Sequence, residues 1–232
     1  MRKGGGAQAQ LDLGDLYLSG RGVPQDFDEA ASWYRKSAEQ GNAHAQTKLG
    51  YAYAKGLGVD KDAASALTWF RKAAGQGDPP AEFDLGVMYA RGTGVPQNIT
   101  EAIRWYRLAA EQGDANALRN LAALYIYGLG VPRSYSAAYA LYSVSASLEP
   151  SSGGLGVIAF REGNIKFRTA LPPDITPSEI EAGRVLAQKM TDTGSVLKAL
   201  DALPQDPDGP SSGVQMPLTA QYLEGMESEF SH

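Results

Sequence analysis

The amino-acid sequence predicts an all-α fold made of four consecutive helix–turn–helix repeats. The first observation behind this prediction is a period of 36 residues that runs through the first two thirds of the chain. The second is the spacing of apolar residues within each copy, which follows the helical period of about 3.6 residues. The matching columns are Tyr17, Tyr53, Tyr89 and Tyr125; Gly20, Gly56, Gly92 and Gly128; Ala30, Ala66, Ala102 and Ala138; and Trp33, Trp69, Trp105 and Leu141.

Each copy begins with a helix whose apolar residues share one face, as Ala45, Leu49 and Ala52 do in copy two. We expect this helix to end at a pair of glycines, which are Gly56 and Gly58 in that copy. Glycine readily adopts the left-handed conformation that ends a helix and turns the chain. A sharp turn therefore joins the two helices of each copy.

The second helix of each copy starts at a side chain that can accept hydrogen bonds from first-turn amides. Glu29 and Glu101 follow two of these caps at the spacing of a capping box. A column of small residues in the first helix predicts that two helices approach closely, with the tryptophan of the same copy filling the neighbouring space. The caps are Asp26, Asp62, Asn98 and Ser134, and the small residues are Gly14, Gly50, Gly86 and Ala122.

The combined pattern resembles the Sel-one-like repeat (SLR), a subgroup of the tetratricopeptide-like helical repeats. Copy two shows it well in the stretches Ala43–Tyr53 and Trp69–Ala74. The resemblance covers residues 7–149 as four repeats. It implies a right-handed α-solenoid that binds proteins or peptides through its concave groove, as an adaptor or scaffold. Many bacterial members of the family are exported or associated with the cell envelope.

Residues 150–190 are expected to form an irregular fifth half-repeat followed by a capping helix. The half-repeat predicts a helix over about 153–169 that is distorted at its glycine-rich start. Thr176, Pro177 and Glu179 have the order of a helix cap, a first-turn proline and a capping-box partner. This stretch resembles the closing helix that shields the last stacking face of such arrays.

Residues 191–232 differ in composition from the rest of the chain, because they hold one basic and seven acidic residues. Residues 204–213 have the composition of a linker. On either side of it, the apolar stretches Val196–Leu203 and Met216–Phe230 are candidate short helices. One hypothesis is that this acidic tail occupies its own groove or a neighbour's, and the alternative is a disordered tail.

Composition argues against several classes of function. The chain has no cysteine, which excludes disulfide scaffolds and thiolate sites. Its only histidines are His44 and His232, so we expect no metal and no cofactor. The net charge of −5 argues against nucleic acid as a partner. We expect no transmembrane segment and no signal peptide, which leaves cytoplasm and periplasm both open.

An enzymatic function has one weak motif in its favour. Ser195-Val-Leu-Lys198 matches the Ser-x-x-Lys of penicillin-binding enzymes, but the companion Ser-Asp-Asn and Lys-Thr-Gly motifs are missing. We therefore expect a protein without catalytic activity. The alternative is a β-lactam-directed hydrolase of the cell envelope, or a small-molecule binder, that uses the same groove.

The exposed residues of the first helices are the candidates for binding a protein or peptide. They combine apolar and aromatic side chains with three cations, which suit an acidic partner. The predicted binding residues are Leu11, Asp15, His44, Thr47, Tyr51, Lys55, Phe83, Val87, Arg91, Arg119, Ile126 and Tyr127.

Overall fold

The computed structural model describes residues 4–148 and 175–203. These residues form α-helices joined by short turns and contain no β-strand. The helices are α1 (Gly4–Ser19), α2 (Phe27–Glu39), α3 (Ala43–Lys55), α4 (Ala63–Ala74), α5 (Pro79–Arg91), α6 (Ile99–Glu111), α7 (Ala115–Tyr127), α8 (Tyr135–Leu148), α9 (Pro177–Thr193) and α10 (Val196–Asp201).

The first eight helices form four hairpins, and the second helix of each hairpin packs against the first helix of the next. The described part of the chain is thus the predicted α-solenoid. Each repeat lies against its neighbours in sequence, and the buried apolar residues of the described chain form three clusters, each shared by two adjacent repeats. Among the described helices, none has the length and hydropathy that a bilayer crossing requires.

The predicted helix caps are confirmed. Asp26, Asp62, Asn98 and Ser134 each accept a hydrogen bond from an amide in the first turn of the following helix. The predicted capping boxes at Glu29 and Glu101 are not completed. The cap N–H groups donate instead to tyrosine carbonyls of the preceding helix, as from Asp26 to Tyr17 at 3.0 Å. This bond ties the two helices of a repeat together.

The first helices end as predicted, because a glycine with a positive φ follows each of them. Gly56, Gly92 and Gly128 have φ values of 75°, 71° and 65°, and each amide donates to a carbonyl four residues earlier. A side chain would be strained in this left-handed conformation. Glycine is therefore required at the turn for conformational reasons.

The small residues at the matching position of the first helices leave space for an aromatic ring of the second helix, but this ring is not that of the tryptophan. A Cβ atom added at Gly50 would lie 2.8 Å from Phe70, and one at Gly14 would lie 2.5 Å from Tyr34. The aromatic residue directly after the tryptophan therefore fills the space, and the prediction for tryptophan is wrong. Adjacent helical residues are about 100° apart, so the tryptophan lies on the flank of its helix.

The tryptophans of copies one and two pack under lysines of their own helix. The Lys36 ammonium lies 3.8 Å from the centroid of the Trp33 ring, and the corresponding distance from Lys72 to Trp69 is 4.0 Å. These side chains stand three residues apart, which places them next to each other on a helix.

The predicted capping helix is α9, which begins at a complete capping box of Thr176 and Glu179. It packs against α8, and a Cβ atom on Gly183 would lie 2.8 Å from Tyr139. Leu186 and Met190 join the core of repeats three and four. α9 therefore covers the end of the described repeats. The helix expected over about 153–169 and the stretch Met216–Phe230 lie outside the described residues.

The first apolar stretch after α9 forms the predicted short helix, α10. Its Val196, Ala199 and Leu200 enter the same core as α9. Asp201 pairs with Arg107 of α6 at 2.5 Å, and the Leu197 amide donates to Glu111 at 3.0 Å. The start of the acidic region thus packs against the second helix of repeat three.

Candidate functional site

The predicted binding residues lie along α1, α3, α5 and α7, and we call them the first-helix surface. Two of them are buried, which corrects the prediction. Leu11 is 5% exposed and packs with Ala30 and Tyr34, while Ile126 is 7% exposed and lies in the core beside Tyr125. Both are apolar residues on the flank of the predicted face, where a small rotation turns a side chain into the core.

Where repeats one and two meet, the polar side chains form hydrogen bonds and ion pairs with one another. The Tyr34 hydroxyl donates to Asp15 at 2.7 Å, and the Lys48 ammonium lies 3.8 Å from the same carboxylate. Burial and the Asp15 carboxylate raise the pKa of Tyr34. Asp15 is thus engaged in joining repeats one and two.

A buried carboxylate organises the next part of the surface. The Asp78 side chain is only 1% exposed and caps α5. It accepts a hydrogen bond from the Thr47 hydroxyl at 2.6 Å, and Nδ1 of the exposed His44 lies 2.5 Å from Oδ1 of the same carboxylate. His44 and Thr47 therefore hold the start of α5. No group of three or more His, Asp or Glu in the described ranges could hold a metal ion.

Four predicted residues meet at one cavity between repeats two and three, which we call the middle cavity. Tyr51, Lys55, Val87 and Arg91 line it, and its volume is about 460 Å³. Its other lining residues were not predicted; they come from α3 and the turn after it, from α4 and α5, and from the start of the turn after α5. These are Ala54, Lys61, Ala63, Phe70, Asp84, Met88 and Thr93.

Asp84 is the group with the most perturbed acidity in the middle cavity. Burial raises its pKa to about 8, the Asp114 and Asp78 carboxylates add to this rise, and Lys55 opposes it. A carboxyl group with its pKa raised this far is mostly protonated at neutral pH.

The sequence of copy two differs from the other copies at one residue that lines the middle cavity. Copies one, three and four have tyrosine at the position of Phe70, and the hydroxyl of Tyr106 in copy three faces Asn120 of the next repeat. Asn120 holds the position in copy four that Asp84 holds in copy three. Phe70 lacks the hydroxyl that would face Asp84, and this difference was visible in the sequence.

The remaining predicted residues are spread along α5 and α7. Phe83 packs against the Tyr106 ring at a centroid distance of 5.9 Å. Arg119 donates to Ser145 at 3.2 Å and also to Asn116. Tyr127 is 57% exposed at the end of α7. The structure therefore brings together the residues at the middle cavity but not the whole predicted set.

The Ser-x-x-Lys motif has a structural role. Ser195 caps α10, where its hydroxyl accepts a hydrogen bond from the Lys198 amide at 3.2 Å. Ser195 is 7% exposed. A cap and its third helical residue have this spacing in any helix, which accounts for the match.

Two solved structures resemble this one along most of the chain. A Sel1 repeat protein from Oxalobacter formigenes is 32% identical, the match covers 97% of this chain and 88% of that one, and the TM-score is 0.63. A protective antigen with an SLR fold from uropathogenic Escherichia coli is also 32% identical, with coverages of 85% and 44% and a TM-score of 0.61. This chain thus spans less than half of the E. coli protein. A comparison with curated proteins gave no match.

The repeat units are matched individually by a family model. The Sel1 repeat model matches residues 7–42, 43–78, 79–114 and 115–149, which together make up more than half of the chain. With the helical hairpins, the glycine turns and the two solved structures, this match defines the family. The chain belongs to the Sel1 repeat family.

Proposed function

We propose that this protein is a scaffold that binds a protein or peptide partner on its first-helix surface, centred on the middle cavity. Proteins of this family generally act as protein-interaction scaffolds, typically without enzymatic activity. The observation that supports this site is the convergence of aromatic, aliphatic and cationic side chains from two repeats on one cavity. Such residue types anchor protein interfaces.

The charge of the cavity favours an acidic partner. Lys55, Lys61 and Arg91 line it, whereas Asp84, the acidic residue among the described lining residues, has a pKa raised to about 8 and is mostly protonated at neutral pH. Charged side chains at an interface select partners of opposite charge and speed their association. We therefore propose that the partner presents a segment with both acidic and apolar residues.

Selection from a random peptide library on the full chain tests this function. We expect enrichment of peptides that contain acidic and apolar residues. Lys55→Glu should weaken the selected peptides by about ten-fold or more, because it reverses a charge at the cavity. Binding is measured by fluorescence anisotropy.

Lys72→Glu is the matched control. It makes the same charge change beside Trp69 on α4, outside the first-helix surface. It should leave binding unchanged. Equal losses from the two variants would contradict a binding site at the middle cavity, and the absence of any enriched peptide would contradict the proposed function itself.

A further inference from the structure

One side of α1 presents residues whose counterparts are buried in every later repeat. Leu13 and Leu16 are 36% and 39% exposed, and Ala9 beside them is also exposed. At the positions of Leu13 and Ala9, the leucines and alanines of the three later copies are at most 1% exposed. α1 is the first described helix, so within residues 4–148 and 175–203 no second helix of a preceding repeat covers this side. We call Ala9, Gln10, Leu13, Leu16 and Tyr17 the end face.

The later repeats show which kind of helix covers such a face. Leu67 and Ala74 of α4 share a buried cluster with Leu85 of α5, the residue that corresponds to Leu13. The helix that covers α5 thus carries an apolar residue and, seven positions later, an alanine, which both lie on one side of a helix. The other second helices repeat this pair, as Ala31 and Ala38 in α2 and as Ile103 and Ala110 in α6.

An arginine of the covering helix makes the first polar contact. Arg35 of α2 donates to the Tyr53 hydroxyl of α3 at 2.8 Å, and Arg71 of α4 donates to the Tyr89 hydroxyl of α5 at the same distance. In both helices the arginine stands four positions after the apolar residue and three before the alanine. Tyr17 occupies the same position in α1, so the end face carries the acceptor for such an arginine.

A glutamine makes the second polar contact. In α3, Nε2 of Gln46 donates to the Ala38 carbonyl near the end of α2 at 3.1 Å, while Oε1 accepts from Gln76 at 2.8 Å. Gln10 holds the same position in α1, and its Oε1 accepts from Gln40 at 2.6 Å. The last carbonyls of a helix lack partners within it. The Gln10 side chain is therefore held, like that of Gln46, to donate to a carbonyl at the C-terminus of a covering helix.

We propose that the end face binds an amphipathic α-helix of a partner protein, and that this helix carries an apolar residue, an arginine four positions later and an alanine three positions after that. The apolar residue and the alanine pack on Leu13, the arginine donates to the Tyr17 hydroxyl, and a carbonyl at the end of the helix accepts from Gln10. The helix runs antiparallel to α1, as α2 does to α3. The end face is separate from the middle cavity, so this partner is independent of the proposed function.

A peptide of residues 62–76, blocked at both ends, is the probe, because it holds α4 with its cap and the three required residues. It is titrated into the ¹⁵N-labelled full chain, and amide shifts are recorded by NMR. We expect shifts in α1. Leu13→Asp should weaken binding by about ten-fold or more, since it places a charge in the apolar contact. Leu108→Asp makes the same change at a leucine of α6 that is 38% exposed, and it should leave binding unchanged.

The arginine contact is tested by one change in the peptide and one in the protein. Arg71→Met in the peptide and Tyr17→Phe in the protein should each weaken binding by about five-fold. Combined, they should cost no more than either alone, because both remove the same hydrogen bond. Tyr53→Phe is the control and should leave binding unchanged, since Arg35 already engages its hydroxyl.

Several results would overturn this proposal. They are shifts confined to α3, α5 or α7, equal losses from Leu13→Asp and Leu108→Asp, additive losses from the arginine and tyrosine changes, or no shift up to the solubility limit of the peptide. Light scattering of the full chain tests the other occupant, a second copy. We expect Leu13→Asp to leave the mass unchanged, whereas a dimer that this variant dissociates would assign the end face to self-association instead.

Discussion

At the scale of single residues, the most informative positions are those where one repeat departs from the others. The columns shared by all copies build the hairpins. Phe70 and Asp84, by contrast, make the junction between repeats two and three different from its neighbours. A missing hydroxyl and a half-buried carboxyl group meet there, and both affect stability as well as binding.

Asp84 makes the stability of the protein depend on pH. Its pKa is about 8 in the folded chain and near the ordinary value of 3.8 in the unfolded chain. Because the folded state keeps a proton that the unfolded state loses, stability is full below about pH 4 and falls as the pH rises to about 8. Asp84→Asn should abolish this fall, since Asn120 occupies the same position in copy four.

The gain at pH 8 should be about 2–4 kcal/mol in the free energy of unfolding, after allowance for partial solvent exposure. Near pH 4 the gain should vanish. Urea unfolding at both values measures it. Asp62→Asn is the control, because the pKa of this exposed cap is lowered by hydrogen bonds from Ser65 and Ala64. A fall with pH that is the same in Asp84→Asn and wild type would refute the prediction.

At the scale of helices, the repeat unit is a hairpin joined by recurrent contacts. The side chain of Gln40 donates to Gln10 at 2.6 Å, and that of Gln76 donates to Gln46 at 2.8 Å. In copy three, Gln112 donates to Glu82 at 2.7 Å. These bonds join the two helices of repeats one, two and three, as does the ring beside each first-helix glycine.

A parallel set of contacts joins successive repeats. Arg35 donates to the Tyr53 hydroxyl at 2.8 Å, and Arg71 donates to Tyr89 at the same distance. Arg107, the next residue of this column, pairs instead with Asp201 of α10. The end of the array thus uses a repeat contact to hold the closing helices.

Gly50→Ala tests the close approach of α3 and α4. The added Cβ would lie 2.8 Å from the buried Phe70 ring, so we expect a loss of about 1–3 kcal/mol from overpacking. Gly6→Ala is the control, because its Cβ would meet only Gln40 at 3.6 Å and alanine favours a helix interior. Thermal unfolding measures both. A Gly50→Ala protein as stable as Gly6→Ala would contradict the packing argument.

At the scale of the whole molecule, burial depends on having a neighbour. Leu49 and Leu85 are fully buried between repeats, whereas Leu13, at the same position in the first repeat, is 36% exposed. At the other end of the described repeats, α9 and α10 supply the neighbouring surface. A solenoid has no central core, so each added element stabilises the one before it.

The contribution of α10 can be measured with two shortened chains, one ending at Leu203 and one ending at Thr193. Only the longer chain retains Val196, Ala199 and Leu200 in the core and the Arg107–Asp201 ion pair. We expect the shorter chain to be less stable by about 2–4 kcal/mol, mainly from lost apolar burial. Both lack residues 204–232, so these cannot account for a difference. Equal melting temperatures would show that α10 does not stabilise the array.

Much of the fold could be predicted because it follows from local chemistry repeated four times. Caps such as Asp62, turn glycines such as Gly56 and the helical spacing of apolar residues act within a few positions along the chain. The capping helix could be predicted for the same reason, from Thr176, Pro177 and Glu179. Four of the twelve predicted binding residues meet at one cavity; the remaining ones include the buried Leu11 and Ile126.

The sequence by itself determined the family, the repeat boundaries, and the start and end of most helices, since these depend on residues close along the chain. Only the tertiary structure decided which aromatic ring fills the glycine column, which side chains are buried and which residues enclose the middle cavity. Asp84, Phe70 and Lys55 belong to three different helices. Their proximity arises from the rotation and stacking of those helices, and so does the burial that raises the pKa of Asp84. The spacing of apolar residues in the sequence defines the rotation of a helix only to within the width of one side chain.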